Sequence, residues 1–301
     1  MVNPNIKVIV TDLDGTLLND DKKITQENID ALVQAQQQGY KVVIATGRGI
    51  TMIQKFAKQL RLDEYGGYVV GYNGQHVYEF ATNTLHENHE IEPEMVMKVL
   101  HFAKEHQLQL VMERKDTFYT YTPLNLFPMT VAIWYAKLRQ KQLSKRHQDY
   151  PIFTKYNVPS NMKMVTIKAN HSRLESMPKM GLSQFPSNIR KKREFILDAF
   201  ASELEVTQVA PFWFDIVPKG TNKGEGLLWV SERLGVSLDQ FIVFGDAEND
   251  IHMLNRAGIS VAMKNAMPHV QSTVDIISEY SNNDSGVGRA VKQILEGTFV
   301  V

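Results

Sequence analysis

Ile6 to Thr16 reads IKVIVTDLDGT. Its first five residues are mostly β-branched and too few for a helix, so they read as a strand buried on both faces. Two carboxylates, Asp12 and Asp14, follow at once in a polar turn. In open α/β sheets ligands sit beyond the carboxyl ends of the strands, so this one stretch points to a fold and to a site. Downstream, Thr25 suits a helix N-cap with Glu27 in the first turn, Ile29, Leu32 and Val33 share a face, and Gly39 offers the left-handed stop. KVVIA (Lys41 to Ala45) is the next strand, Ile53, Phe56, Ala57 and Leu60 mark a second helix, and YVV (Tyr68 to Val70) returns to strand. Strands alternating with helices predict an α/β fold, a Rossmann-like parallel sheet covered on both faces.

The rhythm changes near Thr84. Pro93 to His106 reads as a helix, flanked by the alternating segments LQLVMER (Leu108 to Arg114) and MKMVTIKA (Met162 to Ala169). Such alternation predicts a half-exposed, antiparallel sheet with helices on one side. Pro123, Pro128, Pro151, Pro159, Pro178 and Pro186 add loop content here. The alternation resumes near Lys219, with helices over Glu225 to Leu234, Asp250 to Arg256 and Val287 to Leu295, and strands FIVF (Phe241 to Phe244) and ISVAM (Ile259 to Met263). The pattern predicts a core from 1–83 and 217–301 interrupted by an inserted α+β domain over 84–216, an organisation that 301 residues accommodate.

Composition bounds the chemistry. Lys plus Arg equals Asp plus Glu at 33 each, so no long-range field holds the whole molecule on nucleic acid or an acidic membrane. Cysteine is absent, which excludes disulfides, thiolate zinc sites and cysteine nucleophiles and fits a reducing compartment. With neither a signal-like apolar core at Met1 to Val10 nor a long apolar run, the expectation is a cytoplasmic protein that does not span a membrane and takes no nucleic acid.

Each core strand ends in chemistry. Thr46, Gly47 and Arg48 follow KVVIA, Gly245 to Asp250 (GDAEND) follow FIVF, and Lys223 opens a helix in the second half of the core. Carboxylates converging on one edge repel one another unless a hard cation sits among them, and oxygen ligands suit magnesium. Asp12 and Asp14, one residue apart, divide the labour of attack and proton transfer. Thr46 offers its hydroxyl and backbone N–H to a phosphate at a helix N-terminus, and Lys223, with Lys219 as a rival, adds a compact positive charge. Arg48 alone reads as an ion pair and is left out of the catalytic set.

DLDGT (Asp12 to Thr16), ATGR (Ala45 to Arg48), Lys223 in KGTNKGEGL and GDAEND resemble, in order, the four motifs of the haloacid dehalogenase-like superfamily. The insertion, NG at Asn73 and Gly74, and SNNDSGV at Ser281 to Val287 further resemble the Cof-type phosphatases with an inserted αβ cap, class IIB. The resemblance implies that Asp12 is the nucleophile that becomes an aspartyl phosphate, and that Asp14 is the acid and base. It also implies that magnesium is held by the Asp12 carboxylate, the Asp14 carbonyl and Asp246. Asp250 supports that site, while Thr46, Gly47, Lys223 and Asn249 hold the phosphate. The insertion, which enters and leaves near the ligand edge of the sheet, reads as a lid that selects the substrate, with Arg114, Lys115 and nearby aromatics as candidate contacts. Asp14 disfavours a dehalogenase, since dehalogenating members lack an acid there.

The expected function is hydrolysis of a small phosphomonoester, a sugar phosphate first and a cofactor phosphate second. Phosphomutase-type transfer on a hexose phosphate and a phosphate-binding protein without activity are the alternatives. Other patterns carry less. HENHE (His86 to Glu90) lacks zinc-peptidase spacing and reads as loop, GVGRA (Gly286 to Ala290) lacks a third glycine, and no P-loop occurs. The basic run Lys137 to Arg146 reads as a solvated helix face, and Phe118, Tyr119, Tyr121, Phe127, Trp134 and Tyr135 as packing.

Overall fold

A computed structural model describes residues 5–138, 162–168 and 173–300. Most of the basic run, together with Pro151, Pro159 and Ala169, lies outside the described residues. The chain divides into two compact units, Met1–Asn88 with Thr221–Val301, and His89–Gly220. No helix among the described residues is long and apolar enough to cross a membrane.

The first unit is built on β1 (Val8–Thr11), which pairs in parallel with β2 (Lys41–Ala45) on one side and β12 (Phe241–Gly245) on the other. Beyond β2 lie β3 (Tyr68–Gly71) and the antiparallel hairpin β4 (His76–Glu79) and β5 (Thr84–Glu87); beyond β12 lie β13 (Ile259–Ala262) and β14 (Ile276–Ile277). Strand order reverses between β1 and β12, so their carboxyl ends open onto a topological switch point. Both faces are apolar, as the continuous β-branched runs predict. Ile9, Ile44 and Phe244 pack on one side with Leu32 of α1 (Gln26–Gln37), Phe56 of α2 (Ile50–Gln59) and Val291 of the last helix (Gly286–Leu295). Val8, Val10 and Val243 pack on the other with Leu227 and Val230 of the helix Lys223–Leu234. Each such side chain contributes roughly 1.5–3 kcal/mol on full burial.

Local signals behave as the sequence predicts. Thr25 Oγ1 accepts from the Asn28 N–H at 3.3 Å, and Gly39 stands at φ +95° just past α1. Two expectations shift. His86 and Glu87 are not loop but part of β5, with His86 stacked on Trp229. The helix expected over Asp250 to Arg256 is one turn, Ile251–Leu254, after a 3-10 turn.

The second unit holds a six-stranded sheet in the order β10 (Leu204–Ala210), β11 (Trp213–Pro218), β9 (Lys179–Ser183), β6 (Gln109–Arg114), β7 (Thr117–Tyr121) and β8 (Lys163–Thr166), antiparallel except for the pair β7 and β8. Leu110 and Met112 of β6 (Gln109–Arg114), Met180 and Leu182 of β9 (Lys179–Ser183), and Phe214 and Ile216 of β11 (Trp213–Pro218) form one apolar face. They pack against Val96, Val99 and Leu100 of Pro93–Glu105 and Ile189 and Ile196 of Pro186–Phe200. The division expected at 84 and 216 lies later in the chain at both ends, at 89 and 220, because Thr84–Glu87 completes the first sheet and β11 pairs with β10 (Leu204–Ala210) as far as Pro218. Of the aromatic group read as packing, Phe118 is buried and Tyr119 and Tyr121 line the apolar face, but Phe127, Trp134 and Tyr135 are exposed on Phe127–Leu138.

Both crossings between the units leave from one turn of the first. The Gln75 amide donates to the Asn88 carbonyl at 2.8 Å and accepts from the Thr221 hydroxyl at 3.4 Å, and Asn88 Nδ2 donates to the Gly74 carbonyl at 3.1 Å. Gly74 stands at φ +100°, and a Cβ there would lie 2.1 Å from the Asn222 carbonyl oxygen. A left-handed conformation costs a side chain about 1–2 kcal/mol and overpacking about 1–3 kcal/mol. Gly74→Ala is therefore expected to destabilise the first unit by about 2 kcal/mol or more, read as a lowered midpoint in differential scanning calorimetry.

Candidate active site

At the end of β1 the Asp12 N–H donates to the Phe244 carbonyl at 3.0 Å, which carries the ladder to β12 one residue past the strand and fixes the Asp12 side chain at the switch point. Asp12 is 5% exposed. Its Oδ1 accepts from Lys223 Nζ at 2.6 Å, and the same ammonium donates to Asp250 Oδ1 at 2.6 Å. Lys223 is the first residue of its helix, whose N-cap Asn222 accepts from the Glu225 N–H at 3.1 Å. Asp250 turns its other oxygen to the N–H groups of Asp246 and Ala247, at 2.9 and 3.0 Å, so it fastens both Lys223 and the loop after β12.

Asp246 is reached from the first loop. Thr16 donates its hydroxyl to Asp246 Oδ1 at 2.7 Å, and Gly15, at φ +85°, lies so close that a Cβ would stand 2.4 Å from Asp246 Oδ2. Only glycine accepts both that conformation and that approach.

Asp14 faces elsewhere. Arg48 grips it with Nε on Oδ2 and Nη2 on Oδ1, both at 2.7 Å, and Lys22 adds Nζ on Oδ1 at 2.9 Å. Thr46 is buried, and its N–H donates to the Val70 carbonyl at 2.8 Å. Of the two donors expected at Thr46 only the hydroxyl is therefore left for a phosphate, and that hydroxyl accepts from the Arg48 N–H at 3.2 Å. Helix α2 begins four residues further on, so Thr46 and Gly47 belong to the loop before it and not to its first turn. Asn249 donates to Asn73 Oδ1 at 3.1 Å. The rival Lys219 and the candidate Arg114 have partners within the second unit: Lys219 donates to the Ala201 carbonyl, and Arg114 pairs with Glu175 at 3.1 Å and Glu90 at 3.4 Å. Lys115 occupies the β6–β7 turn at φ +55°.

The electrostatics follow from this crowding. Burial raises the Asp12 carboxyl most, Asp250 and Asp14 add to it, and Lys223 opposes it, with the result pushed up to about 7. Burial, then Asp12 and Asp250, hold Asp246 well above the usual carboxylate range. Burial alone would weaken the Lys223 ammonium, but Asp12 and Asp250 outweigh it and raise its pKa. Enclosure likewise would raise Asp14, yet Arg48 and then Lys22 outweigh it and hold the carboxyl well below its ordinary value.

Oxygens of Asp12, Asp246 and Asp250 all lie within 4.8 Å of one another, with Lys223 as their only ion-pair partner among the described residues. An all-oxygen donor set short of positive charge fits a hard divalent cation. Asp12 and Asp246 are the pair free to hold it, since both oxygens of Asp250 are already engaged.

Residues 9–291 match the haloacid dehalogenase-like hydrolase family model. The chain belongs to the haloacid dehalogenase-like hydrolases. Across this family it is 28% identical over 291 residues to the 5-amino-6-(5-phospho-D-ribitylamino)uracil phosphatase YcsE of Bacillus subtilis, covering 96% of this chain and 95% of that one. A haloacid dehalogenase-like hydrolase from Bacteroides thetaiotaomicron superposes with a TM-score of 0.73 at 26% identity, over 96% of this chain and 99% of the other. A subclass IIB sugar phosphatase of the same superfamily shares the fold, with a TM-score of 0.71 at 21% identity over 95% and 98% of the two chains.

Arg48 is in an ion pair, as expected of it, with Asp14 as the partner, while Lys22, Thr16 and Asn73 complete the hydrogen-bonded network without a role assigned to them from the sequence. Arg48 had a signal, standing two residues after Thr46 at a strand end, but Lys22, one charge among DDKK, had none. Removing one partner of a buried ion pair typically costs about 3–5 kcal/mol. Lys223→Met, which strands Asp12 and Asp250 together, is expected to lose about that much in urea unfolding without divalent cations.

Proposed function

We propose that the chain is a phosphatase that hydrolyses a small phosphomonoester, with Asp12 as nucleophile and Asp14 as the proton-transfer group. The observation that carries this reading is the Asp12 carboxylate at the switch point, ion-paired with Lys223 and sharing its edge of the sheet with Asp246. Phosphoryl transfer needs in-line positioning and charge neutralisation more than elaborate covalent chemistry. In the first half-reaction an Asp12 oxygen bonds to phosphorus as the ester bond breaks, and the leaving oxygen takes a proton from Asp14, which has first to gain that proton from solvent against the hold of Arg48 and Lys22. In the second, water gives its proton to Asp14 and attacks the aspartyl phosphate, which restores Asp12.

Lys223 and the Thr46 hydroxyl bind phosphate oxygens in this reading, with Gly47 and Asn249 at the margin and Asp250 holding Lys223 and the Asp246 loop in place. Asp12, the Asp14 carbonyl and Asp246 would hold magnesium. When bound, that ion supplies the positive charge that lets neighbouring carboxylates stay ionised and that offsets the charge of the phosphoryl oxygens. The substrate is a small phosphorylated metabolite, a sugar phosphate or a phosphorylated polyol of the kind named for YcsE, with a cofactor phosphate as a further candidate. The second unit, His89–Gly220, acts as the cap that selects among them.

Asp12→Asn should release inorganic phosphate from 4-nitrophenyl phosphate at least about a thousandfold more slowly than the wild type, since it removes the attacking group. Retained turnover would refute the mechanism. Magnesium at 100 times its dissociation constant should stabilise the wild type by about 2.7 kcal/mol. The matching rise in melting temperature should be absent in Asp246→Asn, as scanning fluorimetry with and without chelator would read.

A further inference from the structure

The hold of Arg48 on Asp14 is geometrically distinct from every other contact in the site. A guanidinium presents its donors as a rigid planar fork, and here two of them meet the two oxygens of one carboxylate at equal distances of 2.7 Å. The rest of Arg48 is fixed as well. Its N–H donates to the Thr46 hydroxyl at 3.2 Å, its carbonyl accepts from the Tyr72 N–H at 3.0 Å, and its guanidinium carbon lies 5.7 Å from the centre of the Phe56 ring. Lys22 differs on each count. Its side chain is 60% exposed, against 22% for Arg48, and it makes one point contact with Asp14 from a turn at φ +59°.

A carboxylate has about four lone-pair directions. On Asp14, Arg48 Nη2 and Lys22 Nζ take those of Oδ1 and Arg48 Nε takes one of Oδ2, which leaves one direction on Oδ2 for a proton. We infer that Arg48 is a positioning residue: it aims this open direction of Asp14, and so governs proton transfer to the leaving group without touching the phosphate. The inference rests on the reading of Asp14 as the proton-transfer group. It assigns a role to the arginine of ATGR, while Lys22, flexible and exposed, is the partner that can let go of Oδ1.

Help from a general acid matters more as the leaving group becomes more basic, so a residue acting through Asp14 has a signature that neither phosphate binding nor a folding defect imitates. The experiment compares kcat/KM for 4-nitrophenyl phosphate, phenyl phosphate and ethyl phosphate, with saturating magnesium, in the wild type, Asp14→Asn, Arg48→Gln, Arg48→Lys and the double variant Asp14→Asn with Arg48→Gln. General acid catalysis contributes on the order of 100-fold or more, so Asp14→Asn should lose about that factor on ethyl phosphate relative to 4-nitrophenyl phosphate. Arg48→Gln should lose about tenfold or more in the same ratio with the inhibition constant of inorganic phosphate unchanged. Arg48→Lys, which keeps the charge but lacks the fork, should fail to restore it. The double variant should be no worse than Asp14→Asn, because the two act as one unit. The ratio among substrates is taken on one preparation and does not depend on the fraction that folds.

Equal loss on every substrate with a weakened phosphate inhibition constant would overturn the inference and make Arg48 a phosphate ligand. Multiplicative losses in the double variant would also overturn it. A flat response in Asp14→Asn would instead remove the reading of Asp14 itself, and the inference with it, whereas a steep response there with a flat one in Arg48→Gln removes the inference alone.

Discussion

The ammonium of Lys223, with no exposed surface, is the charge around which the first unit is arranged. A buried cation is tolerable only when paired and hydrogen-bonded, and a helix N-terminus is the least favourable place for one because the dipole there is already positive. Two carboxylates at 2.6 Å offset both penalties, one following β1 and the other following the loop after β12. Asp250 then ties the loop backbone to the same ammonium through its second oxygen. Displacing any one of these segments leaves a charge in the interior without its counterpart, so the geometry of Asp12 and Asp246 is maintained by electrostatic necessity and not by loop sequence alone.

That constraint explains what could be read in advance. Asp12, Asp14, Thr46, Asp246 and Asp250 stand after apolar runs whose length and branching announce buried strands, and a parallel sheet gathers such positions at one edge. Lys223 opens a helix behind a good N-cap, which is also a local signal. What escaped was decided by tertiary contact. Nothing within ATGR says that the arginine will bend toward Asp14, and nothing in DDKK distinguishes Lys22 from Lys23. The N–H of Thr46 looked available because it follows a strand, but the ladder with β3 continues one residue further and consumes it. The ends of the insertion were blurred for a related reason. A hairpin strand such as Thr84–Glu87 alternates polar and apolar residues whether it completes the first sheet or begins the second.

The two sheets illustrate how side-chain pattern separates layers. In the first, β1 and β12 are buried throughout and β2 from Val42 onward because helices cover both faces, and their sequences are nearly continuous apolar runs. In the second, Leu110 and Met112, Met180 and Leu182, and Phe214 and Ile216 alternate with residues outside the apolar cluster, which places the two long helices on one side. The candidate site gathers in the first unit, from residues separated by more than half the length of the chain.

The fastening of both crossings to Gln75 has a consequence for how the chain folds and diverges. To the first unit the whole segment His89–Gly220 is a loop, anchored where Asn88 and Thr221 bond to the same amide. The entropy of closing a loop grows only with the logarithm of its length, about 0.6 kcal/mol for each doubling. Once the two anchor points are held together, the size of what hangs between them scarcely affects the stability of the unit that carries Asp12. The scaffold can therefore accept an exchanged, enlarged or shortened insertion at small thermodynamic cost, while the strand ends that carry Asp12 and Asp246 stay fixed.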